Sequence, residues 1–231
     1  LGIKPEREVR IIFGCDEESG FEDLKYYLDY EKAPIAGFTP DCKYPVVYAE
    51  RGRAVIKVKA DLDHLITFLN KYILNTQNKG ERLGIDYKND EFGQLEIRNY
   101  HLTKEDFSFS ISYPAGITLE EILDKLNRIE GYEYEVVSHF KPVYFDKKAP
   151  MVEIMKETYE YVTGNDGTPV TTTGGTYAKM MPHIVPFGPS FPGQKGIGHN
   201  PNEWMTREDL ITNAKIYALT LYQLSRKETE L

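Results

Sequence analysis

Phe13-Gly14-Cys15-Asp16-Glu17-Glu18-Ser19-Gly20 is the stretch on which the reading of this chain turns. Residues 8–14, just before and into it, read Glu-Val-Arg-Ile-Ile-Phe-Gly. Their apolar Val9, Ile11, Ile12 and Phe13 predict a largely buried strand that ends at Gly14. The three acids that follow then fall in a loop at the strand's C-terminal end, where open α/β sheets usually place their chemistry. Behind the loop, residues 20–30 predict a short helix with Phe21, Leu24 and Leu28 on one face. Two distant pieces extend the pattern. Gly37-Phe38-Thr39-Pro40-Asp41 adds an acid, and Gly196-Ile197-Gly198-His199-Asn200-Pro201 adds an imidazole. Carboxylates and an imidazole are the ligand set of a hydrolytic zinc site. Taken alone, Asp16-Glu17-Glu18 reads as a solvated acidic loop, and a single histidine as a loop or capping residue.

The middle of the chain has a different grain. Residues 54–58 predict a strand, and 62–73 an amphipathic helix. Residues 94–102 and 107–113 alternate like antiparallel strands. Thr118 starts a helix through Ile129, with Glu121 completing a capping box. Residues 132–137 predict the last strand. Strand-helix-strand-strand-helix-strand is the order of a ferredoxin-like sandwich. Outside this block, residues 45–50 predict a strand and 150–162 a helix opened by proline. Residues 205–224 predict a long closing helix, capped by Thr206, with Leu210, Ala214, Tyr217, Ala218 and Leu221 along one face. The expected organisation is therefore a small domain, 54–147, inserted between two segments of another, 1–53 and 148–231.

Composition narrows the function classes. The net charge of -8 argues against nucleic acid or an anionic membrane surface as partner. No run is long and apolar enough to span a bilayer. Two cysteines, Cys15 and Cys42, are too few for a disulfide framework, and no secretory signal opens the sequence, so the expected setting is cytoplasmic. A site of both cysteines with His183 and His199 has a spacing unlike any zinc finger. The glycine-rich residues 193–198 match neither a Walker loop nor a dinucleotide fingerprint, and are expected to let the backbone pass close to the site. His64, His101 and His139 fall in the inserted part as surface or partly packed residues, and His183 reads as structural.

The wording of the motifs, in their order along the chain, resembles the M20 metallopeptidases, most closely their PepV-like (Xaa-His) dipeptidases. Gly14-Cys15-Asp16-Glu17-Glu18-Ser19 resembles the family's Gly-Thr-Asp-Glu-Glu-Ser loop, with cysteine for threonine. The resemblance implies Glu17 as general base and Glu18 as metal ligand. Gly37-Phe38-Thr39-Pro40-Asp41, followed by Tyr44-Pro45, implies Asp41 as ligand of a second metal. Gly174-Gly175-Thr176-Tyr177-Ala178-Lys179 resembles the family's substrate-carboxylate segment, with Lys179 where the family has arginine; it implies Gly175, Thr176 and Lys179 as substrate-binding residues. His199-Asn200-Pro201-Asn202-Glu203 resembles the segment of the last ligand, His199. The implied fold is α/β, part of a zinc-peptidase-like catalytic domain with an inserted ferredoxin-like α+β lid. The implied cofactor is zinc, two ions in the complete family site, with manganese or cobalt suited to the same donors.

The resemblance also implies what these residues lack. The family's His-x-Asp segment, its bridging aspartate and its lid histidine have no match here. Zinc sites want three or four protein ligands, so the expectation is a dipeptidase acting on small peptides that is incomplete and inactive as the chain stands. The other readings are a non-catalytic fragment or decayed relative that acts only by binding, and another M20 amidohydrolase, a deacylase or desuccinylase. Expected partners are a small peptide substrate and either a second copy or the missing segments.

Overall fold

Hydrophobic periodicity changes twice along the sequence, and the structure changes with it. In the computed structural model, which describes residues 4–194, 198–229 and 231, the α-helices are α1 (Glu22–Tyr30), α2 (Leu62–Phe68), α3 (Leu119–Leu126), α4 (Pro150–Thr163) and α5 (Arg207–Leu224). They divide between two compact units. One is made of Leu1–Ala49, Phe145–Val170 and Thr176–Leu231; the other of Glu50–Tyr144 and Thr171–Gly175.

The second unit is built on the strand Gly52–Lys59, whose side chains alternate between buried and open. It pairs antiparallel on one side with Asp106–Tyr113 and on the other with Glu133–Phe140; Glu96–Leu102 completes a four-stranded sheet beyond Asp106–Tyr113. With α2 after the first strand and α3 after the third, this is the split βαβ arrangement. The inward side chains Ile56, Val58, Phe107 and Phe109 meet Leu65 and Phe68 of α2 and Ile122 of α3 in one core. The helix starts are chemically specified. Asp61 accepts the His64 amide at 3.0 Å, and Thr118 and Glu121 form a reciprocal capping box with bonds of 3.2 and 2.8 Å. The helical run from Leu62 does not stay α-helical to Ile73: from Leu69 it widens into a π turn, Leu69–Ile73.

In the first unit, two short parallel pairs place residues 37–43 beside 184–190. Gly37–Thr39 pairs with Ile184–Pro186, and Cys42–Lys43 with Pro189–Ser190. Helices α4 and α5 pack on each other, with Val152, Met155, Tyr159, Phe187 and Ile216 fully buried. Pro150 opens α4, where its missing N–H removes no helical bond. Thr206 caps α5 by accepting the Asp209 amide at 3.0 Å.

Two expectations are corrected here. Residues 8–14 are not a buried strand: Ile11 is 71% exposed and Phe13 92%. A lone extended segment buries apolar side chains only against neighbouring strands, and among the described residues none pairs with it. On α5, the buried positions are Asn213, Ile216, Thr220 and Leu224; Tyr217 packs partly buried against the core as expected and Leu221 is half-buried, while Leu210, Ala214 and Ala218 face solvent. The helix is turned so that Asn213 reaches Tyr44 Oη at 2.6 Å and the Pro189 carbonyl at 3.2 Å. Those polar bonds outweigh the burial of small apolar residues. Among the described residues, no helix is long and apolar enough to cross a membrane.

The Tyr44–Asn213 bond lies between two buried side chains. Tyr44→Phe is expected to destabilise this unit by about 1–3 kcal/mol in urea unfolding, because it strips a buried acceptor of its donor. A change below about 0.5 kcal/mol, the range of neutral surface substitutions, would contradict that role.

Candidate functional site

Three consecutive acids repel one another, so their loop needs backbone anchors. The Asp16 carbonyl accepts the amides of Ser19, Gly20 and Phe21 at 3.3, 3.3 and 3.0 Å and winds Glu17–Ser19 into a single 3-10 turn. The Asp16 carboxylate accepts the Glu22 amide, one of the donors left open at the start of α1, at 2.9 Å. From within α1, Asp23 reaches back: its Oδ2 accepts the Cys15 amide at 2.6 Å and the Asp16 amide at 3.1 Å. The same oxygen accepts Tyr177 Oη at 2.6 Å, and the Asp16 amide also donates to Tyr177 Oη at 3.3 Å. Gly14 is required by this packing, because a Cβ there would run into the Tyr177 ring. Phe21 is held at φ 66°, an uncommon conformation for an aromatic residue, with its ring 5.6 Å from that of Tyr177.

Burial by itself would raise the Asp23 carboxyl. The hydrogen bonds from Tyr177, Cys15, Leu24 and Asp16 outweigh it and hold Asp23 below its ordinary 3.8. Burial, reinforced by the bond to Asp23, pushes the Tyr177 phenol up to about 12.

Asp41 occupies the bend between the two parallel strand pairs, fixed on one side by Phe187 N donating to Thr39 O at 3.0 Å and on the other by Tyr44 N donating to Ser190 O at 2.7 Å. Although the residue as a whole counts as exposed, burial of its carboxyl raises Asp41 above the usual carboxylate range. Glu18 and Glu203 add to that shift and His199 opposes it. The Asp41 carboxyl therefore feels the charges of Glu18, Glu203 and His199. His199 Nδ1 lies 3.4 Å from Glu18 Oε1, between two mostly exposed side chains. His199 stands on a tight bend at φ 56°. Residues 195–197, half of the glycine-rich run 193–198 before His199, lie outside the described residues.

Thr176, which is buried, caps a second 3-10 turn, Tyr177–Lys179, by accepting the Ala178 amide at 3.2 Å. Lys179 is half-buried at the end of that turn. Gly175 is exposed and belongs to the 171–175 segment of the other unit. Thus the structure brings two of the sequence-predicted residues, Glu18 and His199, to 3.4 Å, with Asp41 close enough to feel their charges; Glu17 lies on the same loop as Glu18, and Thr176 and Lys179 share a turn tied to that loop through Tyr177. Sequence reasoning missed Asp23, Tyr177 and the charge of Glu203. Asp23 looks like an ordinary first-turn helix acid, and Tyr177 was legible only as one letter inside a glycine-rich motif.

The donor chemistry suits a divalent ion only in part. Glu18 and His199 are a carboxylate and an imidazole at a separation that one ion could draw in. Among the described residues, however, no three His, Cys, Asp or Glu side chains converge as a closed site requires. Cys15 and Cys42 form no disulfide among the described residues and add no such set. Among the described residues no complete zinc ligand set is present.

Comparisons with known proteins bear on what the site belongs to. The profile described as peptidase family M20/M25/M40 matches residues 1–223. A Staphylococcus saprophyticus protein with a provisional dipeptidase name is 26% identical over 337 aligned residues, covering 99% of this chain and 72% of that protein. A similarly named protein of Staphylococcus aureus is 28% identical over 198 residues, 80% of this chain and 42% of its own. Among solved structures, that of the di-peptidase Dug1p from Saccharomyces cerevisiae aligns with a TM-score of 0.60 at 12% identity, covering 92% of this chain and 65% of Dug1p. At that identity the likeness shows the fold alone. The chain spans less than half of the Staphylococcus aureus relative and under two thirds of Dug1p.

The depressed Asp23 carboxyl has a consequence for pH. A group with a lowered folded pKa stabilises the fold fully above its unfolded value, here near 3.8, and loses that contribution as pH falls through the folded value. Between about pH 5 and pH 2, wild type is expected to lose more unfolding free energy than Asp23→Asn, whose side chain does not titrate. Parallel stability curves for the two proteins over that range would contradict the assignment.

Proposed function

The chain belongs to peptidase family M20/M25/M40, and from that premise we propose that it carries part of the catalytic machinery of a metal-dependent dipeptidase. Glu17 is the general base, a carboxylate that is not a metal ligand. Glu18 and His199 serve one divalent ion, and Asp41 a second. Lys179, with Thr176 and Gly175, takes the free carboxylate of a small peptide. The observation that carries this reading is the meeting of Glu18 and His199, 181 residues apart in sequence, at 3.4 Å, with Asp41 inside their electrostatic reach. The ions are zinc by family resemblance, and in such sites zinc acidifies a bound water. Lysine in place of the arginine of the resembled segment offers a point charge without a bidentate fork, so it anchors the substrate carboxylate more weakly.

Three ligands divided between two ions do not close a site. The 231 residues by themselves therefore hold zinc weakly and hydrolyse nothing. The absence of a converging triad among the described residues also favours the second reading, a decayed or partial relative that only binds. The deacylase and desuccinylase alternatives have no residue-level support beyond the shared family.

Dipeptide hydrolysis in zinc, by the product of the complete reading frame and by the 231-residue chain, separates these readings. The complete product is expected to hydrolyse dipeptides. Glu17→Gln should cut the rate by about 10²-fold or more, the scale of a lost general base, and Lys179→Arg should lower KM. The 231-residue chain should take up less than two zinc ions and show no turnover. A complete product without activity would replace the dipeptidase reading by the binding-only one. Stoichiometric two-zinc uptake by the short chain would contradict its incompleteness.

A further inference from the structure

The tie between the acidic loop and the Tyr177–Lys179 turn has no part in the proposed chemistry, yet four hydrogen bonds converge on it. Tyr177 Oη uses both of its capacities. It donates to Asp23 Oδ2 at 2.6 Å and accepts the Asp16 amide at 3.3 Å. The same Asp23 oxygen takes the Cys15 and Asp16 amides. The ring is wedged between Phe21 and the backbone at Gly14. Tyr177 stands one residue after Thr176 and two before Lys179, while Asp16 stands one before Glu17 and two before Glu18. A phenol and a carboxylate therefore hold together, residue for residue, two segments that are 161 positions apart.

We propose that Tyr177, held by Asp23, is a positioning residue. Its hydroxyl fixes the spacing between the turn that presents Lys179 and the loop that presents Glu17 and Glu18. The inference rests on the dipeptidase reading for what those residues do, but not for the tie itself. A peptide whose carboxylate is held at one end and whose scissile bond is attacked at the other needs that spacing constant, because reactivity falls steeply with misplacement of about 1 Å. Phenylalanine would keep the ring contacts with Phe21 and Gly14 and lose both hydrogen bonds. Tyr177→Phe thus separates the tie from the packing.

The test uses the 231-residue chain and two readouts. The first is amide hydrogen exchange at Ser19, Gly20 and Phe21, whose donors bond to the Asp16 carbonyl and touch neither Asp23 nor the tyrosine oxygen. In Tyr177→Phe these amides are expected to exchange at least about tenfold faster, while Ile216 and Thr220 in α5 stay within about twofold of wild type. The second is the affinity for Zn²⁺ alone, expected to fall about fivefold or more in Tyr177→Phe as Glu18 loses its fixed place. Unchanged exchange at all three loop amides overturns the inference. Faster exchange with unchanged Zn²⁺ affinity also overturns it, leaving Tyr177 a purely structural residue. If wild type takes up Zn²⁺ no better than Glu18→Gln, the metal reading fails instead, and the exchange data alone decide whether the tie exists. Should Tyr177→Phe fail to fold, Asp23→Asn is read in the same way, with the same outcomes required.

Discussion

The carboxylate of Asp23, accepting Tyr177 Oη and the amides of Cys15 and Asp16 at one oxygen, is the interaction on which the site depends. A run of three acids is unfavourable to hold in one place, since like charges at close range repel and side-chain order costs entropy. The fold answers with donors rather than with cations. Backbone N–H groups and one phenol stabilise the ionised Asp23 carboxylate, the Asp16 carbonyl gathers three amides, and the Asp16 carboxylate accepts the Glu22 amide at the start of α1. Glu17 and Glu18 are thereby presented from a tight turn rather than from a loose loop.

The rest of the site follows the same logic of backbone register. Asp41 is where it is because two parallel strand pairs, one ending at Thr39 and the other beginning at Cys42, leave it at the bend between them. Its carboxyl is raised first by burial and then by the charges of Glu18 and Glu203, with His199 opposing, an electrostatic arrangement that a cation would stabilise. The ligand count remains short of a closed site. On the proposed reading, these residues are part of a metal centre whose coordination the described residues leave unfinished.

Local chemistry made much of the fold legible in the sequence. Thr118 with Glu121, Thr206 before α5, Pro150 at the start of α4 and the alternation along 107–113 each specify their element through bonds made within a few residues. What was not legible depends on partners far away. The face of α5 is legible only in part: Tyr217 packs on the core, but Asn213, a polar residue, is also drawn inward by Tyr44 and the Pro189 carbonyl, a contact no periodicity reveals. Residues 8–14 carry the pattern of a buried strand and are instead exposed, because strand burial requires neighbours that the described residues do not provide. At the site, Glu17, Glu18, Asp41 and His199 were read from motif wording. Asp23 and Tyr177 do their work across 154 positions, in residue types that are ordinary where they stand.

The central claim is that Glu18 and His199 are two ligands of one ion. Anomalous diffraction at the zinc edge from crystals of this chain soaked in Zn²⁺ tests it most directly. The account predicts a peak between Glu18 Oε1 and a His199 ring nitrogen, at about 2.0–2.2 Å from each. Zinc bound elsewhere, with Glu18 and His199 left out of its coordination, would contradict it.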